Sequence, residues 1–176
     1  LVSQGQIWFL EDWMANVFIS YSSQSVIIAR TIHQFLSSHH FFVWIDYDSI
    51  RGGDLWEQKL YEGLSLCDTV VVLVDPHSMR SQWVRREVAL ARERGASIFP
   101  LIVAPFSDGS TALGALETIG VSDVQAIDLV HDMDAYDTLW KRIVEESRNS
   151  RQFFRLIRLI RMETVDIQTQ ALISDL

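Results

Sequence analysis

The sequence predicts an α/β fold: a parallel sheet with helices covering both faces. Three observations carry that prediction. Short apolar runs rich in β-branched and aromatic residues recur along the chain, as in "NVFIS", "FFVWI" and "TVVVLV". These runs are continuous rather than alternating, which is the pattern of strands buried on both faces. Between them lie longer stretches with helical spacing of apolar residues, and strands alternating with such helices build parallel sheets.

Taken in order, residues 16 to 20 read as a buried first strand, followed by a helix through "SVIIARTIHQFLSS" (25 to 38). "FFVWI" (41 to 45) is the second strand, and "DYDSIRGGD" (46 to 54) is a polar loop with two adjacent glycines. A further helix starts at Asp54, where Asp54 and Glu57 stand in a capping-box arrangement. "TVVVLV" (69 to 74) is the third strand and "SIFPLIV" (97 to 103) the fourth. "VQAIDLV" (124 to 130) is a weaker fifth. The helix joining strands three and four opens at Ser81 and stops at Gly95, and "AYDTLWKRIVEES" (135 to 147) supplies the last.

At 176 residues the chain suits one domain, expected over residues 16–147, with an N-terminal extension (1–15) and a C-terminal extension or linker (148–176). In the latter, Arg151, Arg155 and Arg158 fall at helical spacing opposite Phe153, Phe154, Ile157 and Ile160. That pattern suits a helix packing on a partner or leading into another domain better than a membrane-surface helix. The net charge of -8 disfavours nucleic acid as a partner. No run is long enough to span a bilayer, the start does not resemble a signal peptide, and the single cysteine makes no internal disulfide. A cytoplasmic location is expected, with no membrane partner.

One residue stands out. On the helix opening at Ser81, Val84, Val88 and Ala91 form the centre of an apolar arc, and Glu87 falls inside it. Its neighbours three and four positions away are Trp83, Val84, Leu90 and Ala91, so no base on its own helix can pair with it. Glu87 is then either a rim residue paired with an arginine from elsewhere or a functional carboxylate in apolar surroundings. Both readings stand at this point, the position being also that of a site: ligands of open α/β sheets bind beyond the carboxyl ends of the strands. Here those ends lead into "SYSSQ", "DYDSIRGGD" and "DPHSMRSQW".

Other chemistries lack their signals. There is no G-x-G-x-x-G after the first strand, no Walker motif, no G-x-S-x-G and no H-E-x-x-H. Cys67 stands at helical spacing from Leu60 and Leu64, as a core residue would, and no cysteine–histidine spacing suggests zinc. His39 and His40 close a helix. Asp46 either caps a turn or contacts a substrate, and Trp83 is either core filler or an aromatic wall beside Glu87. A receiver domain is disfavoured, because "SYSS" lacks the acidic pair that would hold magnesium.

The stretches "VFISYSSQS" and "FFVWIDYDSIRGGDLWEQKLYEGLSLCDTVVVLVDPHSMRSQWVRREVALARERGASIFPLIV" resemble a bacterial TIR (Toll/interleukin-1 receptor) domain. The similarity covers about three quarters of the chain. It implies a flavodoxin-like five-stranded parallel sheet. Many such domains cleave NAD+ between nicotinamide and ribose, using a glutamate in the helix after strand three, often as W-x-x-x-E. Here that motif runs from Trp83 to Glu87. The resemblance implies Glu87 as the catalytic residue and Ser20, Tyr21, Ser22, Ser23, Trp44, Asp46 and Trp83 as substrate contacts. It makes Asp48, Ile50, Arg51, Gly52 and Gly53 an assembly loop packing on a neighbouring copy. Some relatives carry arginines where this chain has Ser22 and Ser23.

The implied activity is that of an NAD+ glycohydrolase or ADP-ribosyl cyclase in bacterial antiviral immune signalling. NAD+ is then a substrate, no cofactor or metal is expected, and the partners are other TIR domains in a homo-oligomer. The alternative is a noncatalytic adaptor acting through TIR–TIR contacts alone; the Trp83–Glu87 pair favours the enzyme. Deleting Glu87 is expected to leave stability unchanged or slightly raised, since no base on its helix is stranded.

Overall fold

The computed structural model describes residues 15–45, 62–106 and 109–149. Five strands, β1 (Asn16–Ser20), β2 (Phe42–Ile45), β3 (Thr69–Val74), β4 (Ser97–Ile102) and β5 (Ile127–Asp128), form one sheet in the order β2-β1-β3-β4-β5. Every pairing is parallel, with Ile19 opposite both Ile45 and Val71, and Val71 opposite Phe99. This is the flavodoxin-like arrangement. The chain leaves β1 for β2 on one side and returns to β3 on the other, so the order reverses between β1 and β3.

The helices are α1 (Val26–Ser38), α2 (62–66), α3 (Gln82–Glu93), α4 (Ala112–Ile119) and α5 (135–149). Side chains alternate across each strand, and both faces are apolar. Val17, Ile19, Val71 and Leu73 join α1 and α5 in one core, through Ile32, Leu36, Leu139 and Ile143. Phe18, Val70, Val72 and Val74 join α2, α3 and α4 in the other, through Leu64, Val84, Val88 and Leu116. Ser20, two residues after Phe18, is thereby aimed at the α3 side.

Three expectations need correction. A helix the periodicity did not announce, α4, lies between β4 and β5. It is only eight residues long and contains Gly114. Its boundaries are nonetheless encoded: the Thr111 hydroxyl accepts the Gly114 N–H at 3.0 Å, and Gly120 stops the helix at φ 85°. The fifth strand shrinks from the expected 124–130 to Ile127–Asp128. The Asp128 carboxylate accepts the N–H groups of Val130 (2.9 Å) and His131 (3.1 Å), which turns the chain off the ladder. Finally, α1 is preceded by a 3-10 turn, Ser23–Ser25, capped by Ser22. The capping box at Asp54 and Glu57 lies outside the described residues, as do both extensions apart from Ala15, Arg148 and Asn149.

Cys67 is buried in the core, and burial, with a smaller contribution from the neighbouring Asp68 charge, pushes its thiol up to about 12. The native thiol is therefore expected to resist iodoacetamide at pH 8 and to react once the chain is unfolded, which mass spectrometry would read. Above about pH 9 the unfolded chain loses a thiol proton that the folded chain keeps. Its contribution to stability thus falls as pH rises from there towards 12.

Candidate active site

The carboxyl ends of β1 and β3 diverge at the point of order reversal, and a cleft of about 420 Å³ opens there. Tyr21, Ser22, Ser23 and Gln24 line one wall, following β1. His77, Arg80 and Ser81, following β3, line the other, with Trp83 and Glu87 contributed by α3.

Helix α3 begins where the sequence says it should. The Ser81 hydroxyl accepts the Val84 N–H at 3.3 Å, and Val84, Val88 and Ala91 are buried against the sheet. Glu87 shares that face and is only 6% exposed. The Ser20 hydroxyl, fully buried at the end of β1, donates to Glu87 Oε2 at 2.6 Å. That length is usual for a hydroxyl bound to a carboxylate. A hydroxyl from another element thus meets Glu87, a contact that helix periodicity cannot reveal. Trp83 stays 44% exposed and lines the cleft as a wall instead of filling the core.

Of the expected contacts, Tyr21, Ser22, Ser23, Trp83 and Glu87 converge on the cleft, and Ser20 holds Glu87 from beneath. Ser22 also has a structural duty, accepting the Gln24 N–H at 3.2 Å. Trp44 does not line this cleft. It sits half-buried in β2 against the core on the α3 side, where its indole closes over Gly63 so tightly that a Cβ there would collide with the ring. Asp46 and the loop residues Asp48, Ile50, Arg51, Gly52 and Gly53 lie outside the described residues.

Sequence reasoning passed over Gln24, His77 and Arg80 as cleft residues, and Asp75 as the organiser of the site. Asp75, 2% exposed, directly follows β3. Its Oδ1 accepts the N–H groups of His77 (2.7 Å) and Ser78 (2.6 Å), and its Oδ2 accepts the Ser25 hydroxyl from the opposite wall. The Asp75 N–H in turn donates to the Ser78 hydroxyl at 2.8 Å. One carboxylate therefore ties the segment after β1 to the segment after β3. The signal was the aspartate before Pro76 with Ser78 three residues on, a turn signature standing at the end of a buried strand.

Among the described residues no group of three or more His, Cys, Asp or Glu is placed to hold a metal ion. Among them, too, no helix is long and apolar enough to cross a membrane.

The fold is shared with known domains. The fold resembles the TIR domain of the Toll-related receptor TRR-2 from Hydra magnipapillata, with a TM-score of 0.57 at 12% identity over 75% of this chain and 97% of that one. It also resembles the TIR domains of the activated Roq1 resistosome, with a TM-score of 0.55 at 12% identity over 73% of this chain and 99% of the other. At such identity the likeness is one of fold. No curated protein sequence matches the chain. The TIR domain family model, however, matches residues 17–144, and the chain belongs to the TIR domain family.

Proposed function

We propose that this TIR domain cleaves NAD+ at the nicotinamide–ribose bond. The observation that carries the proposal is Glu87: a buried carboxylate, held by the Ser20 hydroxyl, that lines the cleft at the switch point of the sheet. In NAD+ the nicotinamide is already a cation. When the C1′–N bond breaks, the bonding pair goes to the ring nitrogen and nicotinamide leaves neutral, so no strong general acid is needed. Positive charge then develops on the ribose, as in other glycosidic cleavages. A carboxylate fixed in surroundings of low polarity stabilises that charge better than one dispersed in water. Ser20 sets the orientation of the carboxylate, and Trp83 offers an aromatic wall beside it. Attack of water at C1′, with loss of a proton, yields ADP-ribose; attack by an adenine nitrogen yields a cyclic ADP-ribose.

Incubating the purified protein with NAD+ and separating nicotinamide, ADP-ribose and cyclic products by chromatography tests the proposal directly. Persistent absence of nicotinamide release, at any protein concentration, would instead leave the noncatalytic adaptor. A homo-oligomeric assembly, with the polar loop at 46 to 54 packing on the neighbouring copy, fits a signalling role such as antiviral defence. Specific activity per molecule is accordingly expected to rise with protein concentration or crowding. A constant value from dilute monomer to concentrated protein would count against assembly.

A further inference from the structure

The charges of the cleft are unevenly placed. Glu87 stands at its buried end, and the wall after β1 is uncharged, made of Tyr21, Ser22, Ser23 and Gln24. Arg80 lines the opposite wall, with His77 three residues earlier on the same turn, and both residues are exposed. In a chain of net charge -8, Arg80 is thus a basic residue lining the cleft where β1, β3 and α3 meet.

The turn bearing Arg80 is held on both sides. Asp75 Oδ1 accepts the N–H groups of His77 and Ser78, and Arg85 Nη1 donates to the Met79 carbonyl at 2.9 Å. Within the turn the Arg80 N–H donates to the His77 carbonyl at 3.0 Å, and the next residue, Ser81, is locked as the cap of α3. A guanidinium on an anchored main chain loses less freedom on meeting a ligand than one on a loose loop.

We infer that Arg80 forms an anion subsite of the cleft that takes the diphosphate of a nucleoside diphosphate or dinucleotide, with His77 supplying a further hydrogen-bonding group. A planar guanidinium presents paired donors that match phosphate oxygens. Because Ser22 and Ser23 bring no charge, a diphosphate entering between the walls finds its cation on the β3 side. The identity of the whole substrate rests on the NAD+ proposal; the anion subsite does not.

Titration calorimetry with ADP and with adenosine, on the full chain and on its Arg80→Gln and Arg80→Lys variants, separates the two. The native protein is expected to bind ADP about tenfold or more tighter than adenosine, the margin of a charge-assisted phosphate contact. Arg80→Gln should erase that margin and Arg80→Lys keep part of it, with adenosine affinity unchanged throughout. Arg80 is exposed, so both variants should fold, which circular dichroism would verify. Equal affinity of the native protein for ADP and adenosine, no ADP binding at millimolar concentration, or an undiminished margin in Arg80→Gln would overturn the subsite. NAD+ cleavage is scored apart: an Arg80-dependent ADP preference without cleavage keeps the subsite and loses the proposed reaction, and cleavage without the preference does the opposite.

Discussion

Replacing Glu87 by glutamine is expected to lower NAD+ cleavage by about a hundredfold or more while leaving the protein folded. Loss of one well-placed electrostatic stabiliser costs roughly 3 kcal/mol of transition-state energy. Glutamine keeps the length of the side chain and an oxygen that can accept from the Ser20 hydroxyl, so the bond to Glu87 Oε2 has a neutral substitute. Alanine should abolish activity equally but act differently on stability. It strands the fully buried Ser20 hydroxyl without this acceptor, at a cost of about 1–3 kcal/mol. The expectation of unchanged or raised stability, drawn from the helix alone, is therefore kept for Glu87→Gln and replaced by a predicted loss for Glu87→Ala. Steady-state kinetics and thermal unfolding of both variants check this. If Glu87 had only a packing or pairing role, stability would drop in both and turnover would survive; a folded Glu87→Gln protein with near-native kcat/KM would falsify the catalytic assignment.

Asp75→Ala should be the most destabilising single change at the site. It removes the acceptor of two backbone N–H groups and of the Ser25 hydroxyl, in a position 2% exposed to solvent. Hydrogen bonds to a charged group contribute more than neutral ones, and buried donors left without a partner add their own penalty, so a loss of about 3 kcal/mol or more is expected. Asp75→Asn should cost markedly less. Its amide oxygen can still accept from His77 and Ser78, and its NH₂ can donate to the Ser25 hydroxyl. Urea denaturation of the two variants gives the comparison. An alanine variant as stable as the native protein would mean that Asp75 does not tie the two walls of the cleft together.

The architecture was largely legible in the sequence because its cause is local composition. Strands buried on both faces must be apolar at successive positions, and "TVVVLV" coincides with β3 from first residue to last. Ser81 and Gly95 bracket α3 because a hydroxyl cap and a left-handed stop are properties of single residues; Gly95 takes φ 71°. Where elements are short the pattern fails. The apolar residues of α4 span barely two turns, too few to establish a period, and β5 keeps two ladder residues because Asp128 spends its carboxylate on the turn that follows.

The site divides along the same line. The sequence by itself singled out Glu87, because a carboxylate inside an apolar arc is anomalous on one helix, and it set Tyr21, Ser22, Ser23 and Trp83 near strand ends. Only the tertiary structure decided what meets Glu87. Ser20 is 67 positions away, and its approach depends on β1 and β3 lying side by side with α3 across them. It also placed the Trp44 indole over Gly63, brought His77 and Arg80 to the cleft, and showed Asp75 and Ser25 joined across 50 residues. Periodicity reports which face of an element is buried, since that depends on neighbours within a few residues. Which side chains share a cleft depends on strand order, a long-range property that no single segment carries.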